Sequence, residues 1–258
     1  MSEARYVEDF NLYANDKSIA MKQLNNDHFS GKKLNLHFDG RKEEVLEFKN
    51  ENEVMIDDQL WKFESMPVSQ TISLITIHML AKEIPQYLIY IIDEKHSLIT
   101  KASCTIHEIE KGSTPLSDTT NLVKREFNFG YMGDINPIAR HHHTHDLCDL
   151  ILETAGSPGN VIRYYIHSDT KISYYQKEWP LGGNLVDKDG VGYGQAEFLK
   201  IDDDVYVITF TKHSHGNQPF LLWNKKTERY VGNFAGESRR NHKKFIITSA
   251  GFLREIHL

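Results

Sequence analysis

The sequence predicts an all-β protein made of two antiparallel barrels in tandem, each preceded by a short helix. Three observations carry this expectation. Apolar residues recur at every second position, turn-forming clusters break the alternation about every 8–12 residues, and the strand pattern of the first half returns in the second.

The first barrel opens with Leu34, Leu36 and Phe38 alternating with Lys33, Asn35 and His37, followed by Leu46 and Phe48 alternating with Val45 and Glu47. Ile72 to His78 and Tyr87 to Ile92 are richer apolar runs, as are Val161 to Ile166, Val205 to Thr211 and Phe245 to Thr248. β-Branched and aromatic residues dominate them, which suits a pleated, half-buried surface. Helical spacing is confined to Ser18–Leu24 and Thr144–Ala155. The second has Thr144 as N-cap, Leu147, Leu150 and Ile151 on one face, and Gly156 as its stop.

Gly31 to Gly40 aligns with Gly159 to Ser168 at a shift of 128, the difference between 159 and 31. Leu34, Leu36, Phe38 and Leu46 then match Ile162, Tyr164, Ile166 and Tyr174. Ile72–His78 matches Val205–Thr211, and Tyr87–Tyr90 matches Phe220–Trp223, both at a shift of 133 (205 minus 72). The expected domains are 1–135 and 136–258, joined in the polar stretch around Asn128 to Arg140. Closing each meander into a barrel buries its edges.

A chain of 258 residues has room for two such domains. Its 40% hydrophobic and 26% charged residues exclude disorder, collagen and coiled coil. A net charge of −6 argues against nucleic acid, which needs a concentrated basic surface. The run Arg239 to Lys244 reads as a solvated loop. The two cysteines, Cys104 and Cys148, make no disulfide framework. The acidic start lacks the pattern of a secretory signal, and Leu88–Ile92 is far too short to cross a bilayer. The expected location is the cytoplasm, with no membrane partner.

The most unusual local sequence is Arg140-His-His-His-Thr-His-Asp146, with His213 and His215 further on. On a strand His141, His143 and His145 would point the same way, and imidazole is a common transition-metal ligand. The alternative is that one or two of them face the mouth of the second barrel and the rest face water. Gly190-Val-Gly-Tyr-Gly194 resembles a phosphate loop only superficially, since a strand rather than a helix follows. There is no Gly-x-Ser-x-Gly elbow and no Walker sequence. Cys148 reads as packed.

Aromatic residues crowd the second repeat, with Tyr164, Tyr174, Tyr206, Phe210 and Trp223 among them. Tyr164 and Tyr174 should point inward, where each phenol needs a hydrogen-bond partner. The first repeat carries Leu36 and Leu46 in their places, so the first barrel reads as filled and the second as a pocket. Asp202-Asp203-Asp204 marks a solvated turn, unless one acid turns inward beside Tyr164 and serves as general acid or base.

Gly31-Lys-Lys-Leu-x-Leu-x-Phe-x-Gly40, Ala139-Arg-His, Gly159-x-x-Ile-x-Tyr164 and Asp203-x-Val-Tyr-Val-Ile-Thr-Phe210 together resemble the MoaF family of two-repeat lipocalin-like proteins over roughly residues 28 to 235. The resemblance implies two lipocalin/calycin-like barrels. The second repeat is more faintly similar to the phenolic acid decarboxylase barrel. Tyr164 falls on that family's first inward tyrosine, and Asp203 falls on its glutamate, one carbon shorter. Ile166 replaces the second tyrosine, and Lys188 is a loose stand-in for the arginine. This likeness implies a cofactor-free barrel that works with a tyrosine and a carboxylate.

The expected function is therefore a cofactor-independent lyase, isomerase or cyclase acting on a small apolar or aromatic molecule in the second barrel. Tyr164 and Asp203 would exchange protons, with His143 or His213 orienting or relaying. Tyr174, His145, Tyr206, Phe210, Trp223 and His215 would bind the substrate, and no metal or other cofactor is expected. The alternatives are a non-catalytic small-molecule carrier and a metal-dependent enzyme using the His141–His145 cluster. Monomer and homodimer are equally compatible with two barrels in one chain.

Overall fold

The computed structural model describes residues 26–79, 85–107, 123–157, 160–176, 191–211, 217–237 and 244–257. They form two closed eight-stranded antiparallel barrels and, among the described residues, a single short helix, α1 (Asn26–Phe29). None of the described helices is long and apolar enough to cross a membrane. The expected helix at Ser18–Leu24 lies outside the described residues.

The first barrel is a meander of β1 (Lys33–Phe38), β2 (Glu44–Phe48), β3 (Glu53–Ile56), β4 (Gln59–Pro67), β5 (Ile72–Met79), β6 (Gln86–Asp93), β7 (Leu98–Ile106) and β8 (Val123–Met132). Pairing of β8 with β1 closes it. Alternation puts Leu36, Phe38, Leu46, Phe48, Ile75 and Ile77 into one interior cluster. Full burial of each such side chain contributes roughly 1.5–3 kcal/mol. Residues along β5 are buried on both faces, which is why that stretch reads as a continuous apolar run instead of an alternating one.

One end of this barrel is closed by α1. Phe29 enters the interior cluster beside Phe48, with ring centroids 5.3 Å apart. Asn26 holds the helix in place. Its Nδ2 donates to the Glu51 carbonyl at 2.6 Å, and its Oδ1 accepts from the Ser65 amide at 2.7 Å.

The described residues of this compact unit fall within Gln23–Thr105 and Lys124–His142, and the second unit runs on from His143. The stretch expected as a join therefore belongs partly to the first fold, since β8 continues through Asn128 to Met132. Arg140 is anchored within the same unit by paired hydrogen bonds to Asp39, at 2.9 and 3.0 Å.

The second barrel comprises β10 (Ile151–Ser157), β11 (Asn160–Ser168), β12 (Lys171–Gln176), β13 (Val191–Asp202), β14 (Val205–Phe210), β15 (Asn217–Asn224), β16 (Arg229–Glu237) and β17 (Lys244–Glu255). The β10–β17 and β12–β13 pairings close it, and the two-residue β9 (His142–His143) adds to β13. The helix expected over Thr144–Ala155 is not formed. A tight turn occupies residues 146–149, and β10 begins at Ile151. Thr144 does cap that turn, because its Oγ1 accepts the Asp146 amide at 3.1 Å. β-Sheet pairing on both sides of β10 overrides the weak helical spacing.

The internal repeat is real, but its offset over the first strands is not the expected 128. Leu34 pairs with Leu46, and Leu152 pairs with Tyr164, so both partners shift by 118 (152 minus 34, 164 minus 46). Phe48–Val54 and Ile166–Ile172 repeat at the same shift. Phe29 at the end of α1 likewise answers to Leu147 in the turn before β10, each buried in its own barrel's core. Thus β1 corresponds to β10, not to β11. The expected alignment slipped by one strand, and in-out alternation survives such a slip because both shifts are even. Further along, β5 answers to β14 and β6 to β15 by strand count, in line with the expected pairing.

Candidate functional site

The interior of the second barrel gathers aromatic rings with polar tips. Tyr164 on β11, Tyr174 on β12, Tyr206 and Phe210 on β14, Trp223 on β15 and Tyr230 on β16 share one buried cluster. Tyr164 meets Phe210 edge to face, with centroids 5.3 Å apart, and Tyr174 lies 5.9 Å from Phe210. Gly192 makes room for this arrangement. A Cβ there would stand 2.1 Å from the Tyr174 ring, so Gly192 is a strand residue against which that ring packs.

The hydroxyls have partners inside the barrel. Thr154, whose Oγ1 donates to the Ile162 carbonyl at 3.3 Å, faces Tyr164, and Tyr230 Oη lies 3.3 Å from Ser249 Oγ. Burial drives the Tyr164 phenol well above its ordinary pKa, and the Thr154 contact offsets only part of that rise. Burial also raises Tyr230. Both are therefore neutral hydrogen-bonding groups near neutral pH. Trp223 Nε1 donates to the Leu253 carbonyl at 2.6 Å, tying β15 to β17 across the core.

Tyr206 has its hydroxyl partners outside that cluster. Its hydroxyl donates to the Asp203 carbonyl at 3.1 Å and reaches Asp146 Oδ2 at 3.5 Å, and its ring sits 6.2 Å from Trp223. Lys200 Nζ pairs with the same Asp146 oxygen at 2.9 Å, and this hydrogen bond holds the carboxyl below its usual range.

Asp203 is not brought beside Tyr164. It is exposed in the turn between β13 and β14, whereas Phe210, the ring neighbour of Tyr164, ends β14. Val205 to Phe210 alone spans about 16 Å of strand. The two-residue turn keeps all three acids in solvent reach, so the expected acid–base pair does not assemble.

His143 is exposed on β9, and His145 is exposed with Nδ1 3.4 Å from Asp169 Oδ2. His141 is buried in the first unit, so the alternation expected to bring His141, His143 and His145 together is broken. Among the described residues no group of three His, Cys, Asp or Glu side chains is placed to hold a metal ion. His213 and His215 fall between Thr211 and Asn217, outside the described residues, as does Lys188. Cys148 has its thiol raised by burial, with Asp169 and Asp149 adding to the rise.

Thr154 and Tyr230 are not among the site residues the sequence predicts, although alternation from Leu152 points Thr154 inward and Tyr230 lies directly across from inward-facing Trp223. Inward polar groups are not confined to the second barrel, because Glu44 and Lys101 point into the first. No protein-family model and no curated protein matches the chain.

Proposed function

We propose that the second barrel is a binding chamber for a small apolar or aromatic molecule, and that the protein acts as a non-catalytic carrier. The observation that carries this reading is the ring cluster of Tyr164, Tyr174 and Phe210 with phenol hydroxyls directed into an otherwise apolar interior. Such a lining recognises shape and one or two polar atoms on an apolar body. An eight-stranded barrel is wide enough to hold one small ligand. A phenol whose pKa is raised by burial donates a hydrogen bond without giving up its proton, which suits recognition better than proton transfer. The resemblance to lipocalin-like proteins points the same way.

Calorimetric titration with 1-naphthol and with naphthalene tests the reading. Tyr164→Phe should weaken 1-naphthol by about fivefold, the size of one neutral hydrogen bond, and leave naphthalene unchanged. 1-Naphthol should be recovered unaltered after long incubation. Equal affinity of Tyr164→Phe for 1-naphthol, or conversion of a co-purifying molecule to product, would overturn it.

A further inference from the structure

The first barrel carries an inward-facing ion pair at the end away from α1. Glu44 begins β2, on the same face as Leu46 and Phe48, and its carboxylate accepts hydrogen bonds from Tyr90 Oη and Lys101 Nζ. Tyr90 and Lys101 are direct cross-strand partners on β6 and β7. The ammonium also lies over two rings, 5.5 Å from the centroid of Tyr90 and 5.8 Å from that of Phe38. Phe38, Ile56 and Met79, the last residues of β1, β3 and β5, supply an apolar rim at this end.

Burying such a pair costs desolvation that an apolar pair of similar volume would avoid. In the second barrel the counterpart of Glu44 at the shift of 118 is Ile162, which packs in the core without a charge. Closing a barrel of this size therefore does not require the pair. Glu44 and Lys101 keep 14% and 16% of their side-chain surface open to solvent, so a molecule arriving at this end meets them directly.

We propose that this end of the first barrel is a second ligand site, for a neutral molecule with a hydrogen-bond acceptor beside a donor on an apolar body, as in a lactam or primary amide. The ammonium has three donors and the carboxylate about four lone-pair positions, so each keeps spare capacity after binding the other. A neutral ligand uses both while the pair stays intact. A charged ligand would draw off one partner and leave the other buried without compensation. Burial, reinforced by the Glu44 charge, keeps the Tyr90 phenol protonated as the fixed donor that orients the carboxylate. This site is independent of the chamber proposed in the second barrel.

The test uses the full chain and 2-quinolinone, a flat neutral lactam, with naphthalene, 2-naphthoate and 2-naphthylmethylammonium as comparison probes. Amide NMR shifts should move at Phe38, Glu44 and Lys101. 2-Quinolinone should bind about tenfold more tightly than any comparison probe, because only it uses both partners without breaking the pair. The double variant Glu44→Gln/Lys101→Met should lose that preference, and Tyr164→Phe should keep it. Shifts confined to the second barrel, a preference for either charged probe, or an undiminished preference in the double variant would overturn the proposal. If the double variant does not fold, the probe ranking and shift map of the unaltered protein decide alone.

Discussion

Asp93 Oδ2 stands 2.6 Å from His96 Nδ1 and 3.8 Å from Nε2 of His141, and the side chains of Asp93 and His141 are fully buried. The other nitrogen of His141, Nδ1, lies 2.8 Å from Thr100 Oγ1. Nε2 is too far from the carboxylate for a good hydrogen bond, and it has no other partner among the described residues. The first histidine of the unusual run is thus a core residue that pins the end of its own unit to β6 and β7.

This relationship makes the first barrel acid-sensitive. Burial would raise the Asp93 pKa, but contacts from His141 and His96 outweigh it, and the net shift is downward. A carboxyl depressed in the folded state contributes stability above its unfolded pKa, and that contribution is lost as pH falls through the folded value. Asp93→Asn should cost about 1–3 kcal/mol near neutral pH, the scale of charged hydrogen bonds. Urea unfolding should show the gap narrowing as pH drops from about 5 towards 2. A gap independent of pH would refute the assignment.

Gly192 and Tyr174 form a size-matched pair, with two ring atoms and the hydroxyl oxygen within 2.5 Å of where a Cβ would stand. Gly192→Ala should destabilise the second barrel by about 1–3 kcal/mol through overpacking. Tyr174→Leu in the same chain should relieve part of that loss. Thermal unfolding of both single variants and the double variant reads the coupling, and strict additivity would mean that the ring moves aside freely.

Glu153 faces outward from β10 between Arg163 on β11 and Arg254 on β17, at 3.1 and 2.7 Å. The Arg254 bond, opposed by burial and helped by Arg163, holds the carboxyl below its ordinary range. Glu153→Gln should therefore lower stability by about 1–2 kcal/mol, less than a fully buried pair because both arginines reach solvent. The difference should begin to shrink as the pH is taken below about 4, where the unfolded chain's carboxyl takes up its proton, and should vanish once the native carboxyl, held lower, is protonated too. Chemical denaturation at two pH values checks both statements.

Asp57 and Asp58 join β3 to β4 with φ of 49° and 59°, so both turn residues are left-handed. Two such residues between paired strands match a type I′ turn, for which Asn-Gly is favoured. Asp57→Asn with Asp58→Gly should raise the melting temperature of the first barrel by about 2–6 °C. An unchanged or lower melting temperature would show that the aspartates make compensating contacts.

Much of the fold is legible residue by residue. Leu34, Leu36, Phe38, Leu46 and Phe48 announce their faces through alternation alone, and Tyr164 and Tyr174 are inward as their period requires. The same rule, continued one step back from Leu46, also places Glu44 inside. Its charge disguised it, since an acid before a strand ordinarily marks a solvated end. Asp203 shows the converse, because a triplet of acids did mark a solvated turn, and only its distance along β14 from Phe210 separates it from Tyr164.

In-out alternation, turn chemistry and the recurrence of a barrel are local properties, set by the pleat and by residues two positions apart, so the chain's own order contains them. Which strand of one repeat answers to which in the other is not local. Slipping a meander by a whole strand preserves every face, and closure of the two barrels selected a shift of 118 over 128 for their first strands. The meetings of Glu44 with Lys101, Asp93 with His141, and Glu153 with Arg254 depend on that closure. They join residues far apart in sequence whose partners are chosen by register and by the cost of burying a charge alone.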